Sequence, residues 1–226
     1  MTHGQLLATD EARGALRAPD RQRARQQAIV AAAMEQFAAH GYEGARIEVI
    51  ARQAGVAKGA VFGYFTSKAG LFLAAYAAAA RTFRRYLEAP PGVLARGFFA
   101  VLGYWLERTP HLIRDDLTAY RVTLLGNYCT DLARRRDITQ FLVREDPYGM
   151  QEFIDFGVAR GEVRADLDRP LVVSLTGWLV DRFQDAIVTQ ELDPGLFGAG
   201  LAPPQVQQRR VRQFVELLQR AIGTGE

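Results

Sequence analysis

Cysteine is almost absent from this chain of 226 residues: Cys129 stands alone. One thiol can close no internal disulfide and build no multi-cysteine metal site, so a reducing, cytoplasmic setting is expected. Histidine is scarce too. His3, His40 and His111 are scattered, without a two-histidine metal spacing, and His40 before Gly41 occupies an ordinary helix-end position. Ser67 and Ser174 are the only serines, and neither sits in an elbow that would expose a nucleophile. There is no glycine-rich phosphate loop. Gly55, Gly59 and Gly63 are spaced like a membrane-helix packing motif, but Arg52 and Lys58 flank them too closely. The longest uncharged stretch, Pro194–Gln208, holds three prolines and three glycines, which excludes a spanning helix. Ala8–Asp20 is polar and mixed, unlike a secretory signal. The expectation is a soluble protein, not an enzyme, with no catalytic residue, cofactor, metal or membrane partner.

What charge there is, is unevenly placed. The net charge is +3. Residues 1–90 carry twelve Lys/Arg against seven Asp/Glu, and residues 91–226 carry sixteen against eighteen. A basic excess confined to the N-terminal part suits a polyanion-binding module joined to a neutral one.

Apolar periodicity is helical throughout, with no alternating strand pattern and no internal repeat. Residues 1–20 lack periodicity and are expected to be a mobile tail. A helix is expected over Arg21–His40, stopped by Gly41. Ile47, Ile50, Ala51 and Ala54 form a one-sided stripe ended by Gly55. A short helix follows from Lys58 to about Tyr64. Thr66 or Ser67 then caps a long helix to about residue 88, and Pro90-Pro91-Gly92 marks a module boundary. Beyond it, helices are expected over Val93–Glu107, stopped near Thr109-Pro110, over His111–Arg135 with a break, and over Phe141–Arg160, interrupted around Pro147. Pro170–Gln190 and Gln205–Ile222 complete the series, separated by a loop at Asp193–Pro204. The fold class is all-α: a three-helix N-terminal domain over 21–68, whose connecting helix runs over 68–88, and a helical C-terminal domain over 89–226.

Two short helices around Gly55 make a helix-turn-helix at about residues 46–65. Gly55 falls where a left-handed backbone is needed, and Val56 and Val61 can pack behind Ile50 and Ala51. In this plan the second helix enters the DNA major groove while the first crosses the backbone. The outer face of the second helix is small: Lys58, Gly59, Ala60 and Gly63. Each glycine costs about 1 kcal/mol in a helix interior, so two in one short helix call for a reason, and close approach of DNA supplies one. The chain's only lysines, Lys58 and Lys68, against 26 arginines, both fall at expected helix starts. A positive charge there opposes the helix dipole, and a phosphate would offset it.

The segment from about Gln26 to Ala75 resembles the DNA-binding domain of the TetR family of bacterial regulators. The matching pieces are Phe37-Ala38-Ala39-His40-Gly41-Tyr42-Glu43-Gly44, Ile50-Ala51, Ala54-Gly55-Val56-Ala57-Lys58-Gly59, Tyr64-Phe65 and Ser67-Lys68. The resemblance implies that Lys58, Gly59, Ala60, Phe62 and Gly63 face DNA, and that Arg46, Tyr64 and Lys68 contact phosphates. Ala45 and Arg46 replace the usual hydroxyl residues, with Arg46 offering a charge contact in their stead. Ala57 replaces a serine cap, and Gly63 replaces a bulky ring.

It further implies a homodimer that reads operator DNA as a repressor and is released by a small apolar or amphipathic effector. For the effector, the expected lining is Tyr104, Trp105, Tyr120, Tyr128, Phe153 and Trp178, from the aromatic-rich middle of the chain; core packing is the competing reading of the same residues. For the dimer, the expected stripes are Leu171, Leu175, Leu179 and Phe183 on one helix and Val211, Phe214 and Leu218 on the last. Asp115-Asp116 and Glu145-Asp146 are either greeters of a cationic ligand or solvated pairs. The alternatives are a DNA-binding regulator controlled by a protein partner or acting as an activator, and a helical enzyme or binding protein that keeps the helix-turn-helix for structure alone.

Overall fold

The computed structural model describes residues 18–188 and 203–225. The expected tail up to residue 17, and the expected loop from Asp193 to residue 202, lie outside them. Eleven helices run through the described residues: α1 (Ala18–Gly44), α2 (Ile47–Gln53), α3 (Lys58–Phe65), α4 (Lys68–Tyr86), the single turn α5 (Pro91–Leu94), α6 (Phe98–Asp115), α7 (Leu117–Asn127), α8 (Leu132–Glu145), α9 (Met150–Ala159), α10 (Arg169–Val188) and α11 (Pro204–Ile222). No strand occurs among them; one isolated antiparallel bridge joins Val163 to Gly223. No described helix is long and apolar enough to cross a membrane.

The helices divide into two compact units. The first combines the described residues up to Ala79 with Arg121–Arg135; the second comprises Ala80–Tyr120 and the described residues from Arg136 onward. The first unit is built around Ile29, Ala33, Phe37, Ile50, Val61, Leu71, Phe72 and Tyr76, all buried. Phe37 meets the Phe72 ring edge-on at 5.0 Å. Gly41 interrupts α1 with φ 69° and ψ 178°, so the helix proper stops where the sequence places it and one more turn follows. Segment 121–135 is fastened to α4: the Tyr76 hydroxyl donates to Asn127 Oδ1 at 2.8 Å, and a Cβ on Gly126 would stand 2.3 Å from the Tyr76 ring.

The second unit has α6 at its centre, packed against α5, α9, α10 and α11. Its core gathers Phe98, Leu102, Leu106, Phe153, Ile154, Val163, Val172, Val180, Val211, Leu218 and Ile222. Two expectations are corrected here. First, the helix expected from Val93 is a single turn, α5, followed by Gly97 at φ 101°; α6 starts at Phe98, where Glu162 Oε2 accepts the Phe98 N–H at 2.7 Å. Second, α6 does not stop at Thr109-Pro110 but carries Pro110 inside it. A proline there forfeits one backbone bond. Burial of Thr109 and Ile113 on either side holds the helix together, and the Thr109 hydroxyl donates to the Trp105 carbonyl at 3.1 Å.

Aspartates start the later helices. Asp116 Oδ1 accepts the Ala119 N–H, Asp131 Oδ1 that of Arg134, Asp146 those of Met150 and Gln151, and Asp168 Oδ1 that of Leu171. Such caps satisfy otherwise orphaned donors of a first turn. Asp116 and Asp146, one from each acidic pair of the sequence, therefore have a structural use.

Candidate nucleic-acid interface

The turn between α2 and α3 takes its shape from Gly55. With φ at 66°, its N–H reaches the Arg52 carbonyl and the Val56 N–H reaches that of Ala51, at 3.2 and 2.9 Å. This pair of bonds is a Schellman end, which closes a helix and turns the chain sharply. Ile50, Ala51, Val61 and Phe65 are buried behind the turn, so α3 is held by one face only. The N-terminus of α3 at Ala57 and that of α2 at Arg46 have no side-chain cap, as the missing hydroxyls imply. At α4, Ser67 is the cap: its Oγ accepts the Gly70 N–H at 3.0 Å. Thr66 before it adopts φ 55°, uncommon for a β-branched residue.

The free face of α3 collects Lys58, Gly59, Phe62 and Gly63, all exposed, with Ala60 and Tyr64 half-buried. An added Cβ at Gly59 or at Gly63 would meet nothing within 4 Å. No neighbour among the described residues therefore needs either glycine to be small, and the space they leave opens outward. Phe62, 38% exposed, has no core to fill from there. Arg46 is exposed at the start of α2 and Lys68 half-buried at the start of α4. Lys68 Nζ donates to the Glu43 carbonyl at 3.1 Å and lies 5.0 Å from the centre of the Tyr42 ring.

Three residues at this end of the unit carry contacts that sequence reasoning left without a role. Glu48 of α2 pairs with Lys58. Tyr42 is sandwiched: the Arg134 guanidinium sits 3.3 Å over its ring centre, and Phe72 meets it edge-on at 5.4 Å. Burial raises the Tyr42 phenol above its ordinary range, with the charge of Arg134 opposing that shift. Arg134 also reaches Glu43 Oε1 at 3.4 Å. No periodicity announces this clasp, because Arg134 stands ninety-one positions beyond Glu43. We expect Arg134→Ala to destabilise the first unit by about 1–2 kcal/mol, read from urea unfolding. Arg134→Lys should recover less than half, since an ammonium cannot stack flat on the ring; full recovery by lysine would show that charge alone matters.

In the second unit the six aromatics expected to line a cavity do not converge. Trp105 and Phe153 pack at 4.2 Å within the core around Phe98, and the Trp105 indole N–H donates to the Leu87 carbonyl. Tyr120 is buried and donates to Asp185 Oδ1 at 2.8 Å. Tyr104 lies under the Arg108 guanidinium. Trp178 is exposed. Tyr128 is exposed too, and belongs to the first unit. A groove of about 560 Å³ does run between α6 and α11, floored by Phe99, Gly103, Val211 and Val215, but none of the six lines it. The Thr176 hydroxyl on α10 is a buried polar group the sequence did not flag; it has no partner among the described residues. No described group of three or more His, Cys, Asp or Glu side chains is placed to hold a metal.

The two expected dimer stripes fare differently. On α10, Leu171 and Leu179 are exposed and Leu175 half-buried, in line with Trp178. Phe183 turns inward and stacks on Phe214 of α11 at 4.1 Å. Val211 and Leu218 are 3% and 2% exposed, because that face of α11 lies on α6 within the same chain. The large apolar side chain of α11 that reaches solvent is Leu217.

Residues 29–75 match the family model of the bacterial regulatory proteins of the tetR family. No curated protein matches the chain. Solved structures match its fold. A protein of Shewanella sp. PV-4 assigned to the tetR family of transcription regulators is 20% identical over 89% of this chain and 99% of its own, with a TM-score of 0.63. The fatty acid degradation regulator FadR of Bacillus halodurans is 20% identical over 85% of this chain and 97% of its own, with a TM-score of 0.61. FadR of Bacillus subtilis, solved in complex with stearoyl-CoA, is 21% identical over 85% and 96%, with a TM-score of 0.60. The turn at Gly55 lies inside the segment, residues 29–75, that matches the tetR-family model, and the solved structures share the fold of the chain around it.

Proposed function

We propose that the protein is a homodimeric, cytoplasmic repressor that holds operator DNA through residues 21–68 and lets go when a small amphipathic molecule occupies the helical domain over 89–226. The observation that carries the DNA half is the free face of α3. It has two glycines that no neighbour among the described residues requires, a lysine at its leading end and an unburied phenylalanine. A groove-docked helix needs that close approach. In this reading Lys58, Gly59, Ala60, Phe62 and Gly63 meet the bases, and Arg46, Tyr64 and Lys68 hold phosphates.

The effector half draws on the stearoyl-CoA complex of FadR from Bacillus subtilis and on the buried Thr176 hydroxyl, which has no partner among the described residues of a mostly apolar unit. Buried polar atoms ordinarily find partners, and a ligand's polar group would serve. Release requires only that the ligand bind the two states of the dimer with different affinity. The test is a mobility shift on duplex DNA taken from around the protein's own coding region, repeated across salt concentrations and then with stearoyl-CoA added. Binding that falls steeply with salt, and dissociation by the acyl-CoA at micromolar concentration, are the expected results. Salt-insensitive or absent binding would sink the DNA reading. Intact complexes in the presence of acyl-CoA, with no thermal stabilisation of the free protein by it, would remove this class of effector.

A further inference from the structure

The recognition helix Lys58–Phe65 is poor in chemistry. Among its eight residues only Lys58 and Tyr64 have side chains that hydrogen-bond. Lys58 brings donors and no acceptor, and Tyr64 is half-buried. A helix so equipped can address acceptors on base edges and leaves the donors unread. The acceptor comes from the other helix of the motif. Glu48 Oε1 stands 2.5 Å from Lys58 Nζ, and the two side chains are 62% and 55% exposed. Whatever Lys58 touches is therefore within reach of the Glu48 carboxylate.

We propose that Glu48 and Lys58 act as one reading head for a single G·C base pair in each half-site. Guanine presents the acceptors O6 and N7 in the major groove, and its paired cytosine presents the N4 donor beside them. A side-by-side ammonium and carboxylate match that edge: Lys58 serves the guanine and Glu48 accepts from the cytosine. The same carboxylate disfavours wrong sites. On DNA lacking the pair, Lys58 must either stay with Glu48 or leave a bare negative charge facing the phosphates. Lysine 58 holds the Glu48 carboxyl below the ordinary glutamate range through a hydrogen bond and its charge, so Glu48 is ionised at neutral pH. Glu48 thereby becomes a specificity-determining residue of the interface, although it lies outside the recognition helix.

This inference rests on the reading that residues 21–68 dock on DNA, and the experiment separates the two. The full-length wild type, Glu48→Gln and Lys58→Met are each carried through selection from a random duplex library, and affinity for one unselected duplex is measured across salt. For the wild type we expect a site with a fixed G·C pair in each half. Glu48→Gln should relax that one position, with adenine admitted because an amide pairs with its N6 and N7, and lose about tenfold in preference there. It should also bind unselected DNA more tightly, with a salt slope steeper by about one. Lys58→Met should relax the same position. Circular dichroism melts of Glu48→Gln should match the wild type, as its side chain is exposed. Identical site preferences and slopes for wild type and Glu48→Gln would overturn the proposal while leaving DNA docking in place. A wild type that selects no DNA would overturn both.

Discussion

Alanine at both Lys58 and Lys68 is expected to cost the protein about 10²–10⁴-fold in operator affinity while leaving its fold intact. The estimate starts from a charge-assisted hydrogen bond, worth about 1.5–3 kcal/mol each, with about 1.4 kcal/mol per factor of ten. Both lysines stand at helix starts, where their charge opposes the helix dipole, and their contacts with Glu48 and the Glu43 carbonyl are exposed, so their loss should cost the fold little. Lys58 has a further effect: without it, the exposed Glu48 carboxylate loses its partner and faces DNA alone. The salt dependence provides the check that separates contact from fold. Each phosphate contact removed should flatten the slope of log affinity against log salt by about 0.9. A double variant that keeps its affinity and its slope would mean that the helix-turn-helix is retained for structure alone.

How much of this interface could be seen in the sequence depends on how local the physics is. The α2–turn–α3 unit was legible because everything that makes it lies within twenty residues: the stripe Ile47, Ile50 and Ala51, the left-handed Gly55, and a second helix pinned by Val61. The two surplus glycines were legible as an anomaly, and the open space beside them is what makes the anomaly informative. The Glu48–Lys58 pair was not legible. It joins two helices at a separation of ten, which no helical period marks, and each residue alone reads as a solvated charge. Segment 121–135 was opaque for a related reason. Its attachment rests on single contacts far apart in the chain, Tyr76 with Asn127 and Tyr42 with Arg134. The run through Pro110 was misread because a local rule about proline ignores how strongly neighbouring residues are buried. The aromatic set failed as a cavity because rings fill cores as readily as they line pockets, and Trp105 and Phe153 are core.

The same distinction between periodicity and placement decides the last expected result, Trp178→Asp. A helix with a wide apolar stripe announces that it is buried, but not against what. On α11 the stripe of Val211 and Leu218 is used up inside the chain, so those positions bear on folding. On α10, Leu171, Trp178 and Leu179 are left in solvent, with Trp178 66% exposed. Scattered apolar residues on a surface are ordinary, but a contiguous set that includes a tryptophan marks an interaction site, and tryptophan is a frequent energetic centre of interfaces. We therefore expect wild-type protein to sediment as a dimer at micromolar concentration, and Trp178→Asp to sediment as a monomer. The dimer dissociation constant should rise by more than about 100-fold, since a buried charge without a partner is added to the loss of a hot-spot ring of at least about 2 kcal/mol. The helical circular dichroism of the variant should persist, because Trp178 supports no core of its own. Operator binding should weaken in parallel, as one subunit can hold only one half-site. Leu218→Ala makes the contrast. It should keep the dimer's mass and lose about 2–5 kcal/mol of stability through the cavity it leaves. If Trp178→Asp remains dimeric, the interface lies on another face of the second unit. If Leu218→Ala instead yields a folded monomer, the assignment of the two stripes is reversed.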